Sequence, residues 1–289
     1  MDETRRSVIA TGVAATAMAA APGVFAQPAP VAAPGTAFFT KGSVRQHYED
    51  QGGNGFPMLC IPGPGLNSTL ETLHSGPFDP FKEFASIGIR CIAQDQRNAY
   101  KGQSTGPMEI DRPWDSHTDD QINLMDHLGI NKFMVIGFCA GAPYAWNLYK
   151  RAPDRVVAII EAQPAGFRPE IPTATYDGHM KDWAPFFLKQ RPEYTMDQVT
   201  QYMKNMYFEA PGKDFFWTVT RDFVKQSKVP VLIMPDDVAG HPMKIAMETA
   251  GLAQNSQVSM YPWKDTPEHT AIALRHTRMF IKANLPAKA

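Results

Sequence analysis

The sequence predicts an α/β architecture, a mostly parallel sheet flanked by helices. Short apolar runs of strand length recur along the chain, and longer amphipathic runs alternate with them. The chain is 289 residues long, with 44% hydrophobic and 20% charged residues, enough to bury the core of one large domain. That balance excludes disorder, collagen-like repeats and coiled coil. The 28 basic and 29 acidic residues leave a formal net charge of -1, so the chain has no electrostatic footprint for nucleic acid and no polybasic membrane patch. Three cysteines are too few for a disulfide scaffold and lack zinc-ligand spacing. No metal site and no cofactor is expected.

The elements follow in order. Arg5 and Arg6 precede an apolar run from Val8 to Ala26 that Gly12, Pro22 and Gly23 interrupt, too broken for a membrane span. Residues 1–26 resemble a twin-arginine export signal with cleavage after Ala26. The expected location is periplasmic or secreted, with no stable membrane anchor after cleavage. Residues 27–35 form a Pro/Ala-rich leader. An antiparallel strand near Val44–Asp50 opens the core. Buried strands are expected at Pro57–Ile61, Ile89–Ala93, Phe133–Gly137, Val156–Ala162, Val229–Met234 and Val258–Trp263. Helices are expected at Phe81–Ser86, Thr118–Leu128 (capped by Thr118 and Asp119), Ala140–Arg151, Pro242–Ala253 and Glu268–Asn284. Residues 36–167 and 229–289 then make the core. Residues 168–228 hold aromatic and Met clusters with proline breaks and no strand, which predicts a helical lid inserted after the sixth strand, with an apolar face toward a pocket.

The most informative stretch is Gly137-Phe138-Cys139-Ala140-Gly141. A strand runs into Gly137 and a helix starts after Cys139. G-x-C-x-G on a sharp strand-to-helix turn lifts the middle side chain above the sheet and aims free helix N–H groups at it. Cys60 and Cys91 sit inside apolar runs and read as buried strand residues.

With Cys60-Ile-Pro-Gly63-Pro-Gly65 after the first parallel strand and Asp95-Gln-Arg97 through Gly102-Gln-Ser104 after the next, the sequence resembles the α/β-hydrolase superfamily. The helical lid points to the capped branch, and the cysteine elbow resembles that of dienelactone hydrolases and polyhydroxyalkanoate synthases. The resemblance implies the α/β-hydrolase fold and a triad in the chain order nucleophile, acid, base. Cys139 is then the nucleophile. His269, after the last expected strand, is the base; His276 lies inside the helix. Asp237 is the acid, with Asp236 as the alternative beside it and Glu161 as a third position. Asp95 and Arg97 are expected to pair with each other and fix their loop. The oxyanion hole falls to the N–H of Ala140 and to the Gly63–Gly65 loop, where Pro64 offers no N–H. Phe138, Trp183, Phe187 and His241 are candidates for the substrate pocket, with a structural role also open for His241.

The expected chemistry is cleavage of an ester, lactone or thioester through a thioester acyl-enzyme, on a small-molecule acyl substrate with an apolar part. Acyl transfer on the same fold, and non-catalytic ligand binding, are the alternatives. Neither the specific substrate nor the oligomeric state is legible.

Overall fold

A computed structural model describes residues 34–287. The expected export signal and nearly all of the expected leader lie outside them. Eight strands form one sheet in the order β1-β2-β4-β3-β5-β6-β7-β8. β1 (Gly35–Lys41) and β2 (Val44–Asp50) make an antiparallel hairpin on one edge. β1 was not anticipated, since its exposed, alternating residues lack a continuous apolar run, and it takes in the last residue assigned to the leader. The remaining strands are parallel: β3 (Phe56–Ile61), β4 (Ile89–Gln94), β5 (Phe133–Phe138), β6 (Val156–Ala162), β7 (Val231–Met234) and β8 (Ser256–Val258).

β5, at the centre, is buried at every position, which is why it reads as an unbroken apolar run. The adjacent helices are α1 (Leu70–His74), α2 (Pro80–Phe84), α3 (Pro113–His127) and α4 (Gly141–Arg151). α3 begins five residues before the expected Thr118, because Pro113 opens it at a position where a missing N–H costs nothing. Thr118 lies inside the helix and bonds back to the Trp114 carbonyl.

Between β6 and β7 come α5 (Ala174–Asp182), α6 (Ala184–Gln190), α7 (Met196–Tyr207) and α8 (Arg221–Gln226), a helical segment where the lid was expected. α8 packs on α9 (Met243–Leu252), so the segment returns to the core before β7 begins. Trp183, Phe187, Val199, Tyr202, Met203 and Met206 share one hydrophobic cluster with Trp114 and Tyr144 of the core helices. Trp114 donates to the Met206 carbonyl at 2.7 Å, and the Trp183 indole to the Asn98 carbonyl at 3.0 Å. These two bonds lock the segment down.

The last strand differs from expectation. β8 spans three residues and ends at Val258, where Val258–Trp263 was predicted. Pro262 lacks the N–H a ladder needs. Trp263 is buried from a loop, its indole donating to the Pro235 carbonyl at 2.8 Å. α10 (Pro267–Ala283) closes the described chain. Among the described residues no helix is long and apolar enough to cross a membrane.

Candidate active site

Cys139 stands where β5 turns into α4, with φ at 52°, a left-handed value that a side chain holds only under constraint. Its N–H donates to the Ala162 carbonyl at 3.0 Å, and its carbonyl accepts from Ala142 at 3.1 Å and Ala165 at 3.0 Å. Both elbow glycines are required by space. A Cβ on Gly137 would meet the Gly141 backbone at 2.3 Å, and one on Gly141 would meet the Ile61 carbonyl oxygen at 2.4 Å. A Cβ on Gly63 would come within 2.7 Å of Cys139 Cβ. The Gly63–Gly65 loop therefore lies directly against Cys139.

Burial pushes the Cys139 thiol up to about 11; the Ala140 N–H and the Lys264 charge oppose that rise, and Asp236 adds to it. At neutral pH the resting group is a thiol, not a thiolate.

Two cavities meet at Cys139. One, of about 340 Å³, is lined by Pro64, Gly65, Ala140, Ala165, His179 and Gly240 among others. The second, of about 250 Å³, is lined by Gly63, Leu73, Phe138, Gln163 and His241 among others. Cys139 contributes to both.

His241 is backed by an acid. Asp236 is buried, and the His241, Lys264 and Asp237 N–H groups around it hold its carboxyl below the usual range against the cost of burial. An ionised carboxylate only accepts, so His241 Nδ1 carries its proton and donates to Asp236 Oδ2 at 2.9 Å. Nε2 is then the basic nitrogen. Burial lowers the ring's proton affinity, partly offset by Asp236, so the imidazole is neutral at neutral pH.

The other expected residues fall elsewhere. Asp237 is exposed, its side chain outside the Asp236 cluster. His269 sits in the first turn of α10, and its Nδ1 pairs with Asp265 Oδ1 at 2.8 Å at the surface. It lines neither cavity. The structure thus brings Cys139, Ala140, Gly63, Gly65, Phe138 and His241 together and leaves Asp237 and His269 apart from them. Trp183 and Phe187 stack on each other at 4.5 Å within the helical segment and do not line the two cavities. Glu161 is fully buried on β6, its carboxyl accepting from the Trp146 indole, away from both cavities.

Asp95 and Arg97 do not pair. Asp95 bonds His47 at 2.8 Å and accepts from the Leu70 and Gln103 amides, whereas Arg97 pairs with Asp120 at 2.6 Å and with Glu109 at 3.1 Å. Each fixes the loop, through different partners.

Two contacts had no signal in the sequence. His179, on α5, accepts from the Leu66 N–H at 3.2 Å and thereby engages one amide of the loop that follows β3. Lys264 donates to Asp236 Oδ2 at 2.6 Å and to Gln163. Among the described residues no cluster of His, Cys, Asp or Glu suits a metal ion.

Comparison with known proteins agrees with this fold. A sequence profile described as "alpha/beta hydrolase fold" matches residues 57–271. An epoxide hydrolase of Caballeronia sordidicola is 31% identical over 114 residues, 39% of this chain and 32% of that protein. Epoxide hydrolase 1 of Caenorhabditis elegans is 28% identical over 173 residues, 58% of this chain and 41% of that protein. The chain thus spans less than half the length of these curated relatives. Among solved structures, a bromoperoxidase from Bacillus anthracis superposes with a TM-score of 0.62 at 17% identity, covering 86% of this chain and 100% of that one. A meta-cleavage product hydrolase from Pseudomonas fluorescens gives 0.58 at 18% identity, covering 83% and 95%. These similarities concern the fold. With a profile match over most of its length and the eight-stranded sheet in place, the chain belongs to the α/β-hydrolase fold family.

Proposed function

We propose that this chain is a hydrolase of esters, lactones or thioesters that works through a thioester acyl-enzyme on Cys139, with His241 as base and Asp236 as its orienting acid. The observation that carries the reading is that Cys139 and His241 share the wall of one cavity, with His241 braced by a buried carboxylate.

The high proton affinity of the thiol and the neutral ring set the order of events. His241 Nε2 takes the thiol proton as the sulfur attacks, rather than holding a preformed ion pair. The new S–C bond drives the carbonyl π pair onto oxygen, which the N–H groups of Ala140 and Gly65 stabilise. Collapse breaks the bond to the leaving group, and the imidazolium returns its proton to that group. Water, deprotonated by His241, then attacks the thioester; the C–S bond breaks and the sulfur regains its proton. A thiolate leaves more readily than an amide nitrogen, so activated acyl compounds suit the site better than amides. The names of the curated relatives raise epoxides as an additional substrate class to assay.

The test is intact-mass analysis during turnover of a panel of p-nitrophenyl esters and lactones. An acyl adduct on Cys139, with adduct and turnover both lost in Cys139→Ala, is expected. Turnover that survives in Cys139→Ala overturns the reading. A competing alcohol in the same assay separates hydrolysis from acyl transfer.

A further inference from the structure

The loop after β8 is where the sequence places a base. The side chain it brings to the acid is Lys264, whose ammonium bonds Asp236 Oδ2 at 2.6 Å and the Gln163 side-chain oxygen. Asp236 Oδ2 is thus shared between His241 and Lys264. Gln163, which follows β6 with φ at 48°, lines the cavity that holds Cys139 and His241. One ammonium therefore ties together three loops, those after β6, β7 and β8, around the nucleophile.

We propose that Lys264 is a positioning residue of this site: its ammonium clamps Asp236 and Gln163 in place beside Cys139 and His241. The inference rests on the reading of Cys139 as nucleophile. The titratable and charged groups that face the cluster are Asp236, His241, Cys139 and Lys264 itself, with His179 lining the larger cavity beside Cys139 and Tyr207 close enough to feel the charge on the sulfur. Lys264 opposes the rise of the Cys139 thiol, and it disfavours the protonated form of His241. Without Lys264, Asp236 would act on the sulfur as an uncompensated anion and make the thiolate harder to form. A cation on this carboxylate also keeps Asp236 from being protonated, so that it stays an acceptor for His241.

The experiment needs no substrate. Initial rates of iodoacetamide alkylation of Cys139 are followed by intact mass from pH 6 to 10.5; Cys60 and Cys91 have no exposed surface, so their labelling reports unfolding. Removing the charge in Lys264→Met should move the reactivity profile to higher pH by on the order of one unit, the scale of a nearby charge. Lys264→Gln keeps an N–H donor for Asp236 without the charge, and should show the same displacement. Lys264→Arg should restore the wild-type profile. The ammonium is partly exposed, so these variants should fold. A profile unchanged in Lys264→Gln overturns the inference. If the profile moves as expected but Cys139→Ala still turns over ester, the acyl-enzyme reading falls and the role of Lys264 in setting the thiol stands.

Discussion

Cys139 lies between two walls built on different principles. The wall around β5 is made of backbone: a left-handed turn, glycines at which no Cβ fits, and the Ala140 amide. The wall beyond β7 is made of side chains on loops, Asp236, His241, Lys264 and Gln163, held together by hydrogen bonds and the Lys264–Asp236 ion pair. Sterics fix the first wall and leave it little to titrate. The second responds to pH, because the Asp236–His241 bond depends on which of the two holds the proton. The pH dependence of the chemistry should therefore originate in the second wall.

The strongest way to break this contrast is to remove the proposed base. His241→Ala should lower kcat/KM for an active p-nitrophenyl ester by about 10² to 10⁴, the usual worth of a positioned general base. Asp236→Asn should lose part of that, because an amide neither fixes the Nδ1–H tautomer nor favours the transient imidazolium. Because burial holds His241 below its ordinary value of 6.5, the acid limb of the wild-type profile should lie below pH 6.5. A His241→Ala enzyme at wild-type rate would make the second wall a mere support.

Glu161 sharpens the comparison, since it is an ionisable group set beneath the backbone wall, paired in register with Gly137. Burial pushes its carboxyl up from 4.5 to about 8, with the Trp146 indole partly opposing. The folded protein then binds this proton more tightly than the unfolded chain does. That contribution to stability is complete below about pH 4.5 and is lost as pH rises through about 8. Glu161→Gln keeps an acceptor for Trp146 and has nothing to ionise. It should be more stable than wild type at pH 9 by a few kcal/mol at most, on the order of 1.4 kcal/mol per unit of displacement, and the gain should shrink toward pH 5. Thermal melts at both pH values measure it, and equal melting differences at the two would show that Glu161 ionises without penalty.

The same division explains what the sequence disclosed. Gly137, Cys139 and Gly141 are legible because their constraint is local: a tight turn demands small neighbours at fixed spacing, wherever the rest of the chain goes. The parallel strands were legible for a similar reason, since burial on both faces writes itself as an apolar run. The second wall depends on which of two adjacent aspartates turns inward and on where a short edge strand lets go. Val258–Trp263 looks like a strand because Val258, Met260 and Trp263 are apolar, yet Trp263 buries itself from a loop and its indole is satisfied by Pro235. Ending β8 at Val258 puts Lys264 beside Asp236, while His269, in the first turn of α10, pairs with Asp265 at the surface. His241 was visible as a pocket residue, but its bond to Asp236 follows from the tight turn between them, where Val238 and His241 exchange backbone bonds at 3.3 and 3.0 Å.

The smallest expected effect is therefore at His269. Its ring contacts Asp265 four residues earlier, with both side chains well exposed, and a surface pair of this kind is worth about 0–1 kcal/mol. The helix start does not need the ring: the Thr266 hydroxyl accepts from the His269 backbone N–H at 3.1 Å, a bond that alanine also makes. His269→Ala should melt within a few degrees of wild type and keep kcat/KM within about twofold, a change in barrier below about 0.5 kcal/mol. A loss on the scale assigned to His241→Ala, with stability unchanged, would mean that the start of α10 swings into the cavity during turnover. The charged wall would then be a resting arrangement, and the base would come from the far end of the chain.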